Sequence, residues 1–477
     1  MTSPDPSCRP VILAAGLGTR MKSRTPKVLH PVLGRPMLAY IADAAQEATG
    51  QRPVIVWSPA VPAVRDAFEG VADLALQDEP RGSGDALRAG LAAVPAGARE
   101  VLVLNGDVPL IEASLLRELL EVRREDAAAI SVLTVDAVDP RRLGRVVRDA
   151  AGLVERVVEV KDATGEELAL GEINTGLYAM DADWLRHRIG DLTPSPATGE
   201  LYLTQLIEFA RRDGRVVSAF EVPDDGTLLG INDRAELADA VHRLQARINE
   251  AHMAAGVTMD DPSTAYVEPT VDLAADVVLE PNVILRGRTR IGERTRIGAG
   301  SQVIDSTVGR DCLIWASILE SSVVEDEVRI GPFAHLRPGS SIGRGAELGN
   351  YAEVKNSRLG PGVRQHHFSY LGDAEVGERT NVGAGTVTAN YDGRRKHRTT
   401  IGDGVFLGVD TMLVAPVTVG DGAKTGAGAV VTHDVPAGTL VVGVPARIRD
   451  PKPAEAVAPE ASPADGEPRS PGAGATA

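Results

Sequence analysis

The feature that most constrains this chain is a ladder of aliphatic residues spaced by six, running from about residue 270 to 436. Leu273, Leu279, Leu285, Ile291, Ile297 and Val303 form one unbroken series. Ile330, Leu336, Ile342, Leu348 and Val354 form a second. Ile401, Leu407, Leu413, Val419, Thr425 and Val431 form a third, with Thr425 as its one polar member. Two residues before the rungs sit small or β-branched residues such as Val277, Val328, Ala346, Ala352, Val405 and Ala429. Glycine follows many rungs, as at Gly292, Gly331, Gly343 and Gly402.

A period of six fits neither the 3.6 of an α-helix nor the 2.0 of one strand. It fits hexapeptide repeats, in which three short strands make one coil of a parallel β-helix. Each rung is expected to point to the axis and stack on the rung one coil away. Before the ladder, Pro10–Ala15 reads as a buried strand, and apolar runs at 53–56, 101–104 and 129–133 alternate with helical patterns. Such alternation predicts a parallel, Rossmann-like α/β sheet to about residue 228. Residues 233–256 have helical periodicity, with Asp233 as N-cap and Gly256 as stop, and read as a linker helix. The expected layout is therefore a flexible lead 1–8, an α/β domain 9–232, the linker helix 233–256, a β-helix domain 257–450 and a disordered tail 451–477. The tail is Pro, Ala, Glu and Ser, too poor in aliphatic residues to offset its ordering entropy.

The chain has 477 residues, too many for one ordinary core. Lys plus Arg number 50 against 66 Asp plus Glu, a net charge of −16. That balance argues against a general nucleic-acid binder while leaving room for a local basic pocket. No run of about 18 apolar residues predicts a membrane span, and the N-terminus lacks an apolar signal core. Cys8 and Cys312 offer neither a disulfide framework nor a metal cluster, and Cys312 reads as a buried β-helix residue. A cytoplasmic enzyme is the plain expectation.

Two stretches carry chemistry. The first is Gly16-Leu-Gly-Thr-Arg-Met21, directly after a buried strand, where backbone N–H groups can face a phosphate. Arg20 and Lys27 add positive charge. The spacing is neither a P-loop nor the dinucleotide G-x-G-x-x-G, and a purely structural turn is an equal reading. Asp107, in Gly106-Asp107 at a strand end, suits a Mg²⁺ that keeps most of its waters, or alternatively caps a helix. The second stretch disturbs the ladder: Arg364-Gln-His-His-Phe-Ser-Tyr370, and an insertion from Thr386 to His397 that must leave the coil as a loop. Loops of this kind carry function more often than coils do. The His366–His367 pair reads as a metal site, a surface pair or a general base. Zinc spacing is missing, and imidazole titrates in the right range to accept a proton from an attacking amine.

The longer N-terminal string, Leu13-Ala-Ala-Gly-Leu-Gly-Thr-Arg-Met21 with Pro26-Lys27, resembles the signature of sugar-phosphate nucleotidyltransferases. Gln77, Gly82-Ser83-Gly84, Gly106-Asp107, Glu159-Val-Lys-Asp162 and Glu172-Ile-Asn-Thr-Gly176 narrow the match. With the β-helix, the chain from about 9 to 447 resembles the bifunctional N-acetylglucosamine-1-phosphate uridylyltransferase / glucosamine-1-phosphate N-acetyltransferase family. The left hand of the β-helix is implied by that resemblance. So are UTP, acetyl-CoA and glucosamine-1-phosphate as substrates, Mg²⁺ as cofactor, a homotrimer, and a product used in cell-wall biogenesis.

The resemblance also implies roles. Leu13, Ala14, Ala15, Gly16 and Gly18 contact UTP, Arg20 and Lys27 its phosphates, Gln77, Gly82 and Ser83 its uracil. Asp107 and Asn232 hold Mg²⁺, and Gly144, Glu159 and Asn174 hold the sugar phosphate. In the second half His367 is the catalytic base. Arg337 and Lys355 bind the sugar phosphate there, and Tyr370, Asn381, Asn390 and Tyr391 position the sugar. Ala384, Val409, Ala427 and Arg447 bind acetyl-CoA. Five positions depart from the family pattern: Asn105 where Tyr is common, Gln205 where Asp is common, His366 where Gly is common, and Val409 and Gly443 where the family often has Ser and Arg. Arg447 or the loop cations Arg394, Arg395 and Lys396 are then expected to meet the CoA phosphates.

Overall fold

The computed structural model describes residues 7–137, 139–140 and 143–449. The expected tail 451–477 and the first six residues of the expected lead lie outside the described residues. Two compact units are present, Met1–Asp305 and Ser306–Ala477, so the border falls inside the repeat region.

The first unit opens with the strands β1 (Cys8–Leu13), β2 (Pro31–Val32), β3 (Arg35–Pro36), β4 (Val54–Trp57), β5 (Asp73–Leu76), β6 (Glu100–Asn105), β7 (Ile130–Asp136), β8 (Arg145–Arg148), β9 (Val154–Val158), β10 (Glu172–Asp181) and β11 (Val217–Val222), nine of which share one sheet. The main order is β11-β7-β10-β6-β1-β4-β5, while β2 and β3 form a separate small hairpin. β1 lies parallel between β4 and β6, with Val11 opposite Val54 and Val103. The sheet departs from the expected all-parallel form because β10 runs antiparallel to both β6 and β7. The antiparallel direction brings Gly176 of β10 against Asn105 at the end of β6. β1 also starts at Cys8, inside the expected lead: Cys8 is fully buried and the Ser7 carbonyl accepts from the Arg99 and Glu100 N–H groups.

Helices cover both faces of this sheet, and their apolar residues form two cores, one around Ile12, Leu38 and Leu104 and one around Val11, Val103 and Leu206. The helix Arg234–Ala254 is capped by the Asp233 carboxylate, which accepts from the N–H groups of Ala235 and Glu236 at 2.9 and 3.0 Å. Its buried Gln245 and Asn249 bond the backbone of Val267 and Ala265, tying it to the first coil.

The coils follow the six-residue ladder. In the first unit Leu279 pairs with Ile297 and Leu285 with Val303, eighteen positions on, so three hexapeptides make one turn. In the second unit Leu336 pairs with Val354 and Val324 with Ile342. All these rungs are buried, as is Thr425. Burying one aliphatic side chain is worth about 1.5–3 kcal/mol, so the ladder is the principal stabilising element here. Three strands per coil give the second unit three faces. The first carries Arg329–Ile330, Glu347–Leu348, Arg364–Gln365, Asn381–Val382, Phe406–Leu407 and Lys424–Thr425. The second carries His335–Leu336, Ala352–Lys355, Ser369–Gly372, Val387–Ala389, Met412–Val414 and Val430–Val431. The third includes Arg358–Leu359, Ala374–Val376, Thr399–Ile401 and Val417–Val419. Val376 pairs with Ile401, so the loop between 390 and 397 leaves the coil without breaking its register.

Candidate active sites

In the first unit the ends of β1, β6 and β10 open into two cavities. One, of about 460 Å³, is lined by Leu13, Ala15, Gly16, Leu17, Gly18, Thr19, Gln77, Pro80, Gly82, Ser83, Ala86, Asn105 and Glu200. A Cβ on Gly16 would meet no protein atom, so that turn opens its backbone to the cavity. Gly18 has φ +57° and lies so close to Lys27 that a Cβ would strike it, which explains the glycine. Ala14 is not on the wall: it is buried, and its N–H donates to the Val56 carbonyl. Gln77 is held by Asp85, its amide donating to the carboxylate at 2.8 Å. The Ser83 hydroxyl accepts from the Leu203 N–H at 3.1 Å.

The second cavity, of about 470 Å³, is lined by Arg20, Asn105, Asp107, Leu143, Gly144, Glu159, Asn174, Thr175, Gly176, Leu229, Gly230, Asn232, Asp233 and Glu236. Asn105 lines both, so the two cavities meet at its side chain. Gly176, at φ +79°, leaves the space that the Asn105 amide fills. Arg20 donates to Asn232 Oδ1 at 2.7 Å, and the Lys27 ammonium contacts the Asp107 carboxylate and Asn232 Oδ1. Two cations, one carboxylate and one amide oxygen therefore converge from four segments. Asn232 Nδ2 donates to the Gly230 carbonyl at 2.9 Å, which turns its oxygen toward Asp107. A Cβ on Gly230 would come within about 3.1 Å of the Asp107 carboxylate. This carboxylate and amide oxygen suit a hard cation held largely by waters and substrate phosphates, in the place that Lys27 and Arg20 take here. Glu159 is partly buried, and desolvation pushes its carboxyl up, opposed by a hydrogen bond from Thr204.

The second unit has a cavity of about 340 Å³ lined by Val431, His433, Val441, Ala446, Arg447 and Ile448. Backbone bonds link the corner between its first and second faces: Gly385 N–H to Phe368 O, Asp410 N–H to Ala384 O, and Gly428 N–H to Val409 O, at 2.7, 2.7 and 2.8 Å. His367, Ala384, Val409 and Ala427 thus stand on successive coils along one corner. His367 is exposed, and Ala446 N–H donates to Val430 O, bringing Arg447 beside the coil that carries Ala427. At the other edge of the second face lie Arg337 and Lys355. Lys396 and Arg337 stand near Lys355, and their positive charge holds it below the ordinary lysine value. Asp373 fixes this edge, accepting from Asn356 and Asn390 at 2.5 Å each. The loop is closed by Asp392, whose carboxyl is held down at about 2 by the Arg395 and Arg394 N–H groups and by His397. Tyr370 lies on the second face and Tyr391 is exposed, its hydroxyl donating to Gly393 O. Asn381 sits apart, on the first face between Arg364 and Phe406.

The chain matches two family models: a MobA-like NTP transferase domain over residues 10–245, and bacterial transferase hexapeptide repeats over 321–356 and 398–433. It is 43% identical over 435 residues to "Bifunctional protein GlmU" of Pelobacter propionicus, covering 91% of this chain and 95% of that one. For the protein of the same name from Kineococcus radiotolerans the figures are 43% over 447 residues, 93% and 91%. For that of Mycobacterium bovis they are 42% over 440 residues, 91% and 89%. The chain belongs to the GlmU family. It is a bifunctional enzyme of UDP-N-acetylglucosamine synthesis, with uridylyltransferase and glucosamine-1-phosphate acetyltransferase activities, and its repeats form the left-handed β-helix of hexapeptide transferases.

Several wall residues were not singled out from sequence. Glu236 accepts from the Asn232 N–H at 2.6 Å, and Thr204, Asp85 and Asp373 orient expected site residues. Their signal is weak, since each is an ordinary polar residue in an unremarkable stretch. Gln205 has a structural use: it accepts from Thr193 N–H and donates to Thr193 O, closing the loop before its helix.

Proposed function

We propose that UTP occupies the cavity of Gly16, Gln77 and Ser83, and N-acetylglucosamine-1-phosphate the cavity of Gly144, Glu159 and Asn174. The reacting phosphates then meet near Asn105. The observation that carries this reading is the convergence of Arg20 and Lys27 on Asp107 and Asn232 at that junction. Mg²⁺ held by Asp107 and Asn232 would neutralise phosphate charge and orient the triphosphate. Lys27 and Arg20, released from Asp107 and Asn232, stabilise the charge that builds as the sugar-1-phosphate oxygen attacks the α-phosphorus and pyrophosphate leaves. No covalent nucleophile is needed.

On the β-helix, glucosamine-1-phosphate places its phosphate on Arg337, Lys355 and Lys396. The pantetheine of acetyl-CoA follows the apolar corner of Ala384, Val409 and Ala427, toward Arg447. The amine attacks the thioester carbon, His367 takes the amine proton, and the CoA thiolate leaves. Because Asn381, His367 and the cation cluster lie on different parts of the coil, one chain supplies only one wall at each place. A second copy completes the site. The corner below His367 supports this: Trp315, Phe333, Tyr351 and Phe368 are 51, 55, 63 and 58% exposed, in a chain with three Trp, seven Tyr and six Phe. Phe333 and Tyr351 stack at 5.5 Å. Such an apolar ridge marks an interface, and a closed trimer covers it symmetrically. Among the described residues no helix is long and apolar enough to cross a membrane, which agrees with a cytoplasmic enzyme.

The test is thiol release from acetyl-CoA with glucosamine-1-phosphate, without UTP or Mg²⁺, for the parent and His367→Ala. Release that collapses in the variant supports His367 as base. No release from the folded parent would leave the β-helix as a stalk.

A further inference from the structure

The rung beneath His367 breaks the apolar ladder. Gln365 occupies the interior position that Leu348 fills one coil below, and it is fully buried. Its amide Nε2 donates to Ser369 Oγ at 2.9 Å, and Ser369 Oγ donates to the His367 carbonyl at 2.9 Å. The hydroxyl has one proton to give and accepts the amide proton in return, so the directions are consistent. Gln365 Oε1 has no partner. An amide here is thus costly to bury and only half satisfied, and an aliphatic rung would pack the coil better.

The serine bond alone is ordinary in this fold. Ser317 Oγ donates in the same way to the Trp315 carbonyl, two residues back, and there the nearby rung is Ile314. What distinguishes the His367 corner is the interior amide that backs the serine. Gln365 and Ser369 flank His367, so the relay between them closes the corner across its base, and His367 itself is exposed. Each bond in such a chain polarises the next. Outside the coil, His366 Nε2 contacts the Glu347 carboxylate at 2.8 Å, one coil below. The main chain of residues 365–369 is therefore pinned from within and from without.

We propose that Gln365 is a positioning residue for acetyl transfer: through Ser369 it fixes the His367 carbonyl, and with it the direction of the imidazole. The inference rests on His367 as the base. It differs from a packing role, because Leu would serve packing better.

The test compares Gln365→Leu, Ser369→Ala, Ser369→Thr and His367→Ala in the full-length enzyme. Each is followed by acetyl-transfer kcat and KM, uridylyltransferase rate and thermal midpoint. Gln365→Leu is expected to lower acetyl-transfer kcat about tenfold, the size of effect a small misplacement produces. Its KM values and uridylyltransferase rate stay at parental levels and its midpoint is unchanged or higher. Ser369→Ala gives the same loss of kcat, and Ser369→Thr, which keeps the hydroxyl, restores it. Parental kcat in a folded Gln365→Leu enzyme would overturn the proposal, as would a fall in kcat matched by a fall in thermal midpoint. Retained acetyl transfer in His367→Ala would instead overturn the assignment of the base.

Discussion

The two catalytic regions solve the same problem, holding a sugar phosphate beside an activated donor, with opposite shapes. The α/β region builds a concave site from its own chain. Loops at the ends of β1, β6 and β10 surround two joined cavities, and four segments deliver Arg20, Lys27, Asp107 and Asn232 to one point. The β-helix is closed around its own axis. Its rungs are spent on the axis, so chemistry is left to corners and to one expelled loop, and a corner offers one wall. Metal-assisted phosphoryl chemistry needs enclosure and charge. Acyl transfer with a general base needs a positioned imidazole and a surface along which a long cofactor can lie.

The sharpest way to break this comparison is at Asp107. Asp107→Asn is expected to lower uridylyl transfer on the order of 10²-fold and leave acetyl transfer unchanged. Equal loss of both activities would mean that the two sites are not independent. Next in size, Lys355→Ala removes a charge-assisted contact worth about 1.5–3 kcal/mol, so KM for glucosamine-1-phosphate should rise roughly tenfold or more. KM for N-acetylglucosamine-1-phosphate in uridylyl transfer should not move. A third variant, Phe333→Ser with Tyr351→Ser, should make acetyl transfer depend on enzyme concentration and shift sedimentation toward smaller species. Uridylyl transfer should survive dilution, because that cavity is complete within one chain. Acetyl transfer that persists in a monomer would refute the shared-site reading.

The smallest effect concerns Glu159. Burial raises its carboxyl above the ordinary value, so the folded form holds its proton to higher pH than the unfolded form does. The resulting penalty is absent below the ordinary carboxyl value, grows as pH rises through the raised one, and is full above it. Glu159→Gln removes the penalty. Its thermal midpoint relative to the parent should therefore increase from acid to neutral pH, while KM for N-acetylglucosamine-1-phosphate rises. A midpoint difference that does not vary with pH would show that the carboxylate is stabilised in place.

Much of this was legible in the chain because periodicity and glycine have direct geometric meaning. A coil of three strands forces an aliphatic residue every sixth position, so Leu336, Leu348 and Val354 announce their own burial. Gly16 and Gly18 after a buried strand announce a close approach to a ligand. Arg337, Lys355, His367, Ala384, Val409 and Ala427 follow from motif resemblance, and the coil geometry places the last four on one corner. Less legible were residues whose role depends on a distant partner. Lys396 reads only as a loop cation until the loop is seen to return it to Lys355. Asn105 reads as a lost tyrosine until Gly176 is placed against it.

The sequence by itself determined the two fold types, the repeat that builds the second and the chemistry each half can perform. Local pattern suffices there, because burial period and backbone freedom are properties of adjacent residues. Tertiary structure alone decided that β10 runs antiparallel, that two cavities join at Asn105, that Lys27 meets Asp107, and that a buried amide stands under His367. These depend on contacts between segments far apart in the chain, which close packing creates and no local periodicity encodes.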